Sequence, residues 1–124
     1  MSSTSDFQHL RLSRVKDIVI VEIISKDLQG PAAARELGAE LSLVSAQDWA
    51  KRIVLNFHSI NYLSSTGFAV LLKLVRNVTA AGGQVAVSDM EPGLRLGAEI
   101  VGLDKVVPIY DSEAAAIASF DKNS

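Results

Sequence analysis

Seven consecutive residues, Ile18-Val19-Ile20-Val21-Glu22-Ile23-Ile24, contain six β-branched apolar side chains and a single charge. Branching at Cβ stiffens χ1 and suits the pleated backbone of a strand better than a helix. The run shows no polar alternation, so both faces of that strand must be covered. It is also far shorter than the roughly 20 residues a bilayer span needs. A strand buried on two sides requires layers above and below it. The rest of the chain has to supply them.

Two further runs have the same buried character: Arg52-Ile53-Val54-Leu55-Asn56-Phe57 and Gln84-Val85-Ala86-Val87-Ser88. Between the strands the apolar period changes to that of helices. Pro31, suited to a first helical position, opens one with a stripe at Leu37, Leu41 and Val44. Ser65 to about Ala81 forms the next, with Phe68, Leu71, Leu72, Val75 and Val78 inward and Lys73, Arg76 and Asn77 outward. Gly82-Gly83 supplies its left-handed stop. A short helix over Pro92–Val101 and an edge strand over Val106–Tyr110 follow, the edge position being set by Pro108. Asp111 or Ser112 caps a last helix through Ala114–Ile117. Leu10–Val15 alternates as a half-exposed strand, and it lies too close to Ile18 for a crossover. Strands alternating with helices imply right-handed βαβ units. The expected fold is α/β, a mixed, mostly parallel sheet of four to five strands with about four helices packed on it. One domain over residues 10–120 is expected, with flexible ends at 1–9 and 121–124.

Charge narrows the partners. Twelve basic against 14 acidic side chains give a formal charge of −2 with no basic stripe, which argues against nucleic acid. The chain has no cysteine, so disulfides, thiolate nucleophiles and thiolate metal sites are excluded together. The polar start Met1-Ser2-Ser3-Thr4-Ser5-Asp6 lacks a signal-peptide order, and no membrane insertion is expected. A cytoplasmic protein is the implied reading.

Catalysis finds no foothold. His9 and His58 are the two imidazoles, and no G-x-S-x-G elbow accompanies the serines near His58. His58 reads as a loop-surface residue. Asp27, Asp89 and Glu91 stand among loops without ligand spacing, so no metal or other cofactor is expected. Gly93 and Gly97 permit close helix packing and nothing more specific. What remains is Ser64-Ser65-Thr66-Gly67, three consecutive hydroxyls at the start of an amphipathic helix. One of them suffices as a cap. A helix N-terminus also tolerates an anion, and a phosphoryl group there would add roughly −1.5 to −2 charge without unfolding the helix. Such a turn can switch a protein contact by charge alone, or bind a phosphate-bearing ligand.

The stretch Val54–Leu72, with the turn at its centre, resembles the signature of STAS domains, the family of anti-sigma factor antagonists and sulfate-transporter tails. That pattern is an apolar strand ending in Asp, a short loop, then Asp-Ser-Ser-Gly and an apolar helix. Gly82–Val87 and Gly102–Ala114 resemble the family's next turn and strand and its closing strand–helix segment, so the likeness runs from about Leu10 to Phe120. The resemblance implies a non-catalytic partner switch. An anti-sigma factor that is also a serine kinase binds the turn, phosphorylates it and dissociates, and a serine phosphatase resets it. It places the phosphoacceptor at Ser65 and the contact surface at Ser64, Ser65, Thr66, Gly67 and Phe68, with the loop carrying Asp27 and Gln29 beside it. This chain departs from the pattern at Ser64 and Asn56, both acidic in the family. The alternatives are a non-switching STAS subunit of a signalling scaffold or lipid-transport complex, and a small phosphate-ligand binding domain.

Overall fold

The computed structural model describes residues 7–24 and 31–122. Its strands are β1 (Leu10–Val15), β2 (Ile18–Ile23), β3 (Arg52–Asn56), β4 (Gln84–Ser88) and β5 (Ile109–Tyr110). Its helices are α1 (Pro31–Ser45), α2 (Ser65–Ala80), α3 (Pro92–Ile100) and α4 (Glu113–Lys122), with a 3₁₀ turn at Leu103–Lys105. The strands form one five-stranded sheet in the order β1-β2-β3-β4-β5. β1 and β2 make an antiparallel hairpin, and every later pairing is parallel. The mixed α/β sheet expected from the strand and helix spacing is the one observed.

The register explains why the strands lack polar alternation. Val19, Val21, Ile23, Ile53, Leu55, Val85 and Val87 point to the larger core, where they meet Leu37, Leu41, Phe68, Leu71 and Leu94 from α1, α2 and α3. The intervening Ile18, Ile20, Val54 and Ala86 point the other way, onto Ala116 and Phe120 of α4. Both faces are therefore dry. Residues that continue the α4-facing row past the apolar stretch, Glu22, Asn56 and Ser88, lie in register at the carboxyl end of their strands.

Several expectations shift in detail. Leu74, not Leu72, completes the buried stripe of α2 together with Phe68, Leu71, Val75 and Val78. Leu72 is only half-buried on the flank of that stripe. The last strand is shorter than Val106–Tyr110, because Val106 and Val107 close the 3₁₀ turn by donating to the Leu103 carbonyl. Only Ile109 and Tyr110 pair with β4, at the sheet edge. Gly82, at φ 86°, is the left-handed stop after α2, and Ser112 is the cap of α4, its Oγ accepting from Ala115 N at 3.1 Å.

Candidate functional site

The hydroxyl-rich turn sits where β3 hands over to α2. Ser64 is the helix cap: its backbone is extended (φ −73°, ψ 167°), and its Oγ accepts from the N–H of Gly67 at 3.1 Å. Its carbonyl accepts from the N–H of Phe68 at 3.0 Å. Ser65 and Thr66 are the first two helical residues, both exposed, and neither hydroxyl is hydrogen-bonded to another described residue. Their N–H groups belong to the first turn of a helix, which has no acceptor of its own to offer them. There is no acid in that first turn. Two free donors, the positive end of a helix dipole and two unengaged hydroxyls thus share one exposed corner.

Gly67 and Phe68 are placed differently from their neighbours. Phe68 is buried, its ring turned into the larger core and toward Gly97 of α3, at a distance an added Cβ would tolerate. Gly67 is buried under Leu63, and a Cβ on it would lie 2.5 Å from Leu63 Cδ1 and 2.7 Å from Leu63 Cγ. Glycine is needed there because the loop folds back onto the helix. Asp27 and Gln29, expected beside the turn, lie outside the described residues.

The loop from Phe57 to Leu63 is fastened along its length. Phe57 N donates to the Ser88 carbonyl at 3.0 Å, and Ile60 N to the Phe57 carbonyl at 3.0 Å. Ser59 Oγ donates to Glu22 Oε2 at 3.0 Å, while Arg11 approaches the other oxygen of Glu22 at 3.4 Å. Asn56 Oδ1 accepts from His58 N at 2.7 Å, and Asn56 Nδ2 donates to Glu113 Oε1 at 2.7 Å. Ile60 and Leu63 are buried, whereas Tyr62 between them is exposed. The turn is consequently offered from a fixed support. His58 is exposed and lines an open depression with Ser59, Ile60, Asn61 and Glu91.

Glu91 stands at a helix start and not in a loop, capping α3 by accepting from Leu94 N at 2.7 Å. Among the described residues no group of three or more His, Cys, Asp or Glu is arranged to hold a metal ion. Nor is any described helix long and apolar enough to cross a membrane.

The family model described as STAS domain matches residues 12–116. The chain belongs to the STAS domain family. Two relatives give the likeness more detail. An anti-sigma F factor antagonist of Paenibacillus polymyxa is 31% identical over 71 residues, which span 57% of this chain and 61% of that protein. BtrV of Bordetella bronchiseptica, assigned by name to the anti-sigma factor antagonists, is 30% identical over 89 residues, 72% of this chain and 76% of its own. The Bacillus cell fate determinant SpoIIAA in its phosphorylated form superposes with a TM-score of 0.67 at 20% identity, over 90% of this chain and 98% of that one.

The two departures from the family motif now have local accounts. Serine at position 64 keeps the cap that an aspartate would also make, and removes its charge. Asparagine at position 56 uses both atoms of its amide, one on the loop and one on α4. Nothing local to either residue signals that second contact in the sequence, where they stand 57 positions apart.

Proposed function

We propose that this STAS domain is an anti-sigma factor antagonist, a binding protein and not an enzyme, whose partner is an anti-sigma factor with serine kinase activity. Ser65 is the phosphoacceptor. The surface around it, the half-buried Ser64 with the exposed Thr66 and Tyr62, meets the partner, with Gly67 and Phe68 shaping the corner from beneath and the loop of Asp27 and Gln29 beside it. The observation that carries this reading is the division of labour at the turn: Ser64 alone caps α2, which leaves the exposed Ser65 hydroxyl without a structural task. Phosphate on Ser65 would stand at the positive end of the helix, where it is tolerated by the fold. At a protein contact the same charge opposes binding by repulsion and desolvation. The named relatives support the class of partner, and a serine phosphatase would reverse the modification.

The experiment uses the anti-sigma factor that co-purifies from the native cell. With ATP, the complex should add phosphate mass to Ser65 and dissociate. Ser65→Asp should weaken the complex about 100-fold, equivalent to roughly 2.7 kcal/mol, while Ser65→Ala keeps it. Full binding by Ser65→Asp would reject the switch. Co-purification in fixed stoichiometry, indifferent to ATP, would instead identify a constitutive subunit.

A further inference from the structure

Asn56 ends β3 with its amide held between two partners of opposite demand. The His58 N–H can only donate, and it lies 2.7 Å from Oδ1. The Glu113 carboxylate can only accept when ionised, and it lies 2.7 Å from Nδ2. One orientation of the amide satisfies both. Turned by 180°, Asn56 would set NH₂ against N–H and a carbonyl oxygen against a carboxylate. Without Glu113 only the weaker of these two preferences, the one for His58, would remain.

We propose that Glu113 is a positioning residue for the Ser65 turn, acting through Asn56. By fixing the plane of the Asn56 amide, Glu113 keeps Oδ1 on the His58 N–H and so holds the first bend of the loop that ends in the Ser64 cap. The pairing is specific to asparagine. A carboxylate at position 56 has acceptors on both oxygens and needs no orienting partner, but it would be repelled by Glu113. Asn56 and Glu113 are therefore matched, and each is wrong without the other. Glu113 is the first residue of α4, which packs on the sheet face opposite α2, so the contact ties the second layer of the fold to the turn. Its consequence for partner binding rests on the reading of Ser65 given above; its consequence for the loop does not.

Four proteins decide the matter: the wild type, Glu113→Ala, Asn56→Asp and the double variant Asn56→Asp/Glu113→Ala. Hydrogen exchange of the His58 amide is followed by NMR, with amides of β3 and β4 as internal reference. Glu113→Ala should lower His58 protection about tenfold, the order expected for a lost hydrogen bond to a charged group. The double variant should recover to within about threefold of the wild type and melt above Asn56→Asp, which sets two carboxylates against each other. Affinity for the anti-sigma factor and the rate of Ser65 phosphorylation should follow the same order. His58 protection within about twofold of wild type in Glu113→Ala would overturn the proposal, as would failure of the double variant to fold or to rescue protection. If the wild type binds no anti-sigma factor, the partner reading fails, and His58 exchange still decides whether Glu113 positions the loop.

Discussion

The starts of α2 and α3 share a backbone and differ in chemistry. Both caps are extended, Ser64 at φ −73°, ψ 167° and Glu91 at φ −69°, ψ 157°, and each side chain accepts from the N–H three residues on. At α3 the cap is a carboxylate, and Pro92 at the head of the helix removes one of the free donors. The positive end of that helix is already filled. At α2 the cap is a neutral hydroxyl, no acid stands in the first turn, and Ser65 and Thr66 keep their N–H groups. Capping as such therefore does not mark a site. What distinguishes α2 is that its cap satisfies geometry while leaving the charge preference of the helix end unmet.

The strongest way to break this comparison is at the glycines that follow the caps. Gly67→Ala drives a methyl group into Leu63 and should destabilise the protein by about 1–2 kcal/mol net of the helix propensity gained, seen as a lower midpoint in urea. Gly93→Ala meets only Glu91 Oε1, at 2.8 Å from the added Cβ, and that carboxylate can swing aside. It should change stability by less than about 1 kcal/mol. Next in size come the caps. Ser64→Ala and Glu91→Ala should each cost about 1 kcal/mol, or roughly 4 °C in melting temperature. Salt then separates the two caps. Raising ionic strength to about 1 M should shrink the Glu91→Ala penalty by a few tenths of a kcal/mol and leave that of Ser64→Ala unchanged. Equal salt dependence would remove the distinction. The converse substitution is Thr66→Glu, which gives α2 the acid it lacks. It should stabilise the helix by about 0.3–1 kcal/mol in thermal melts while slowing phosphorylation of Ser65.

The fold was largely legible because its signals are local. The β-branched run at Ile18–Ile24 and the apolar stripes of α1 and α2 each carry their own period, and a two-sided sheet follows from them. Where reading faltered, a tertiary choice was involved. Leu72 and Leu74 are the same residue type, and only the position of the sheet decides that Leu74 is buried and Leu72 is at the flank. Val106 and Val107 look like strand residues, but the 3₁₀ bonds to Leu103 claim them first. At the site, the hydroxyl turn was visible as a pattern, whereas the assignment of Ser64 as cap required coordinates. The Asn56–Glu113 contact joins residues 57 positions apart, at the carboxyl end of the central strand, with no periodicity to announce it. The same holds at the start of β1, which lies at this same end of the sheet. There Glu40 accepts from the N–H groups of Gln8 and His9 at 2.8 and 2.9 Å, and His9 reaches Glu36 at 3.0 Å.

The leucine lodged against Gly67 has a consequence for how such a domain can change over time. Position 67 and position 63 share one volume, so neither is free to vary alone. A library randomised at both should return survivors in which any side chain gained at 67 is matched by volume lost at 63, with single changes at 67 depleted. Drift in this corner of the molecule is then a two-step walk through a less stable intermediate, and the residues between, Ser64 to Thr66, are shielded from it. If the proposed partner contact lies there, that surface is held constant by a packing constraint buried just beneath.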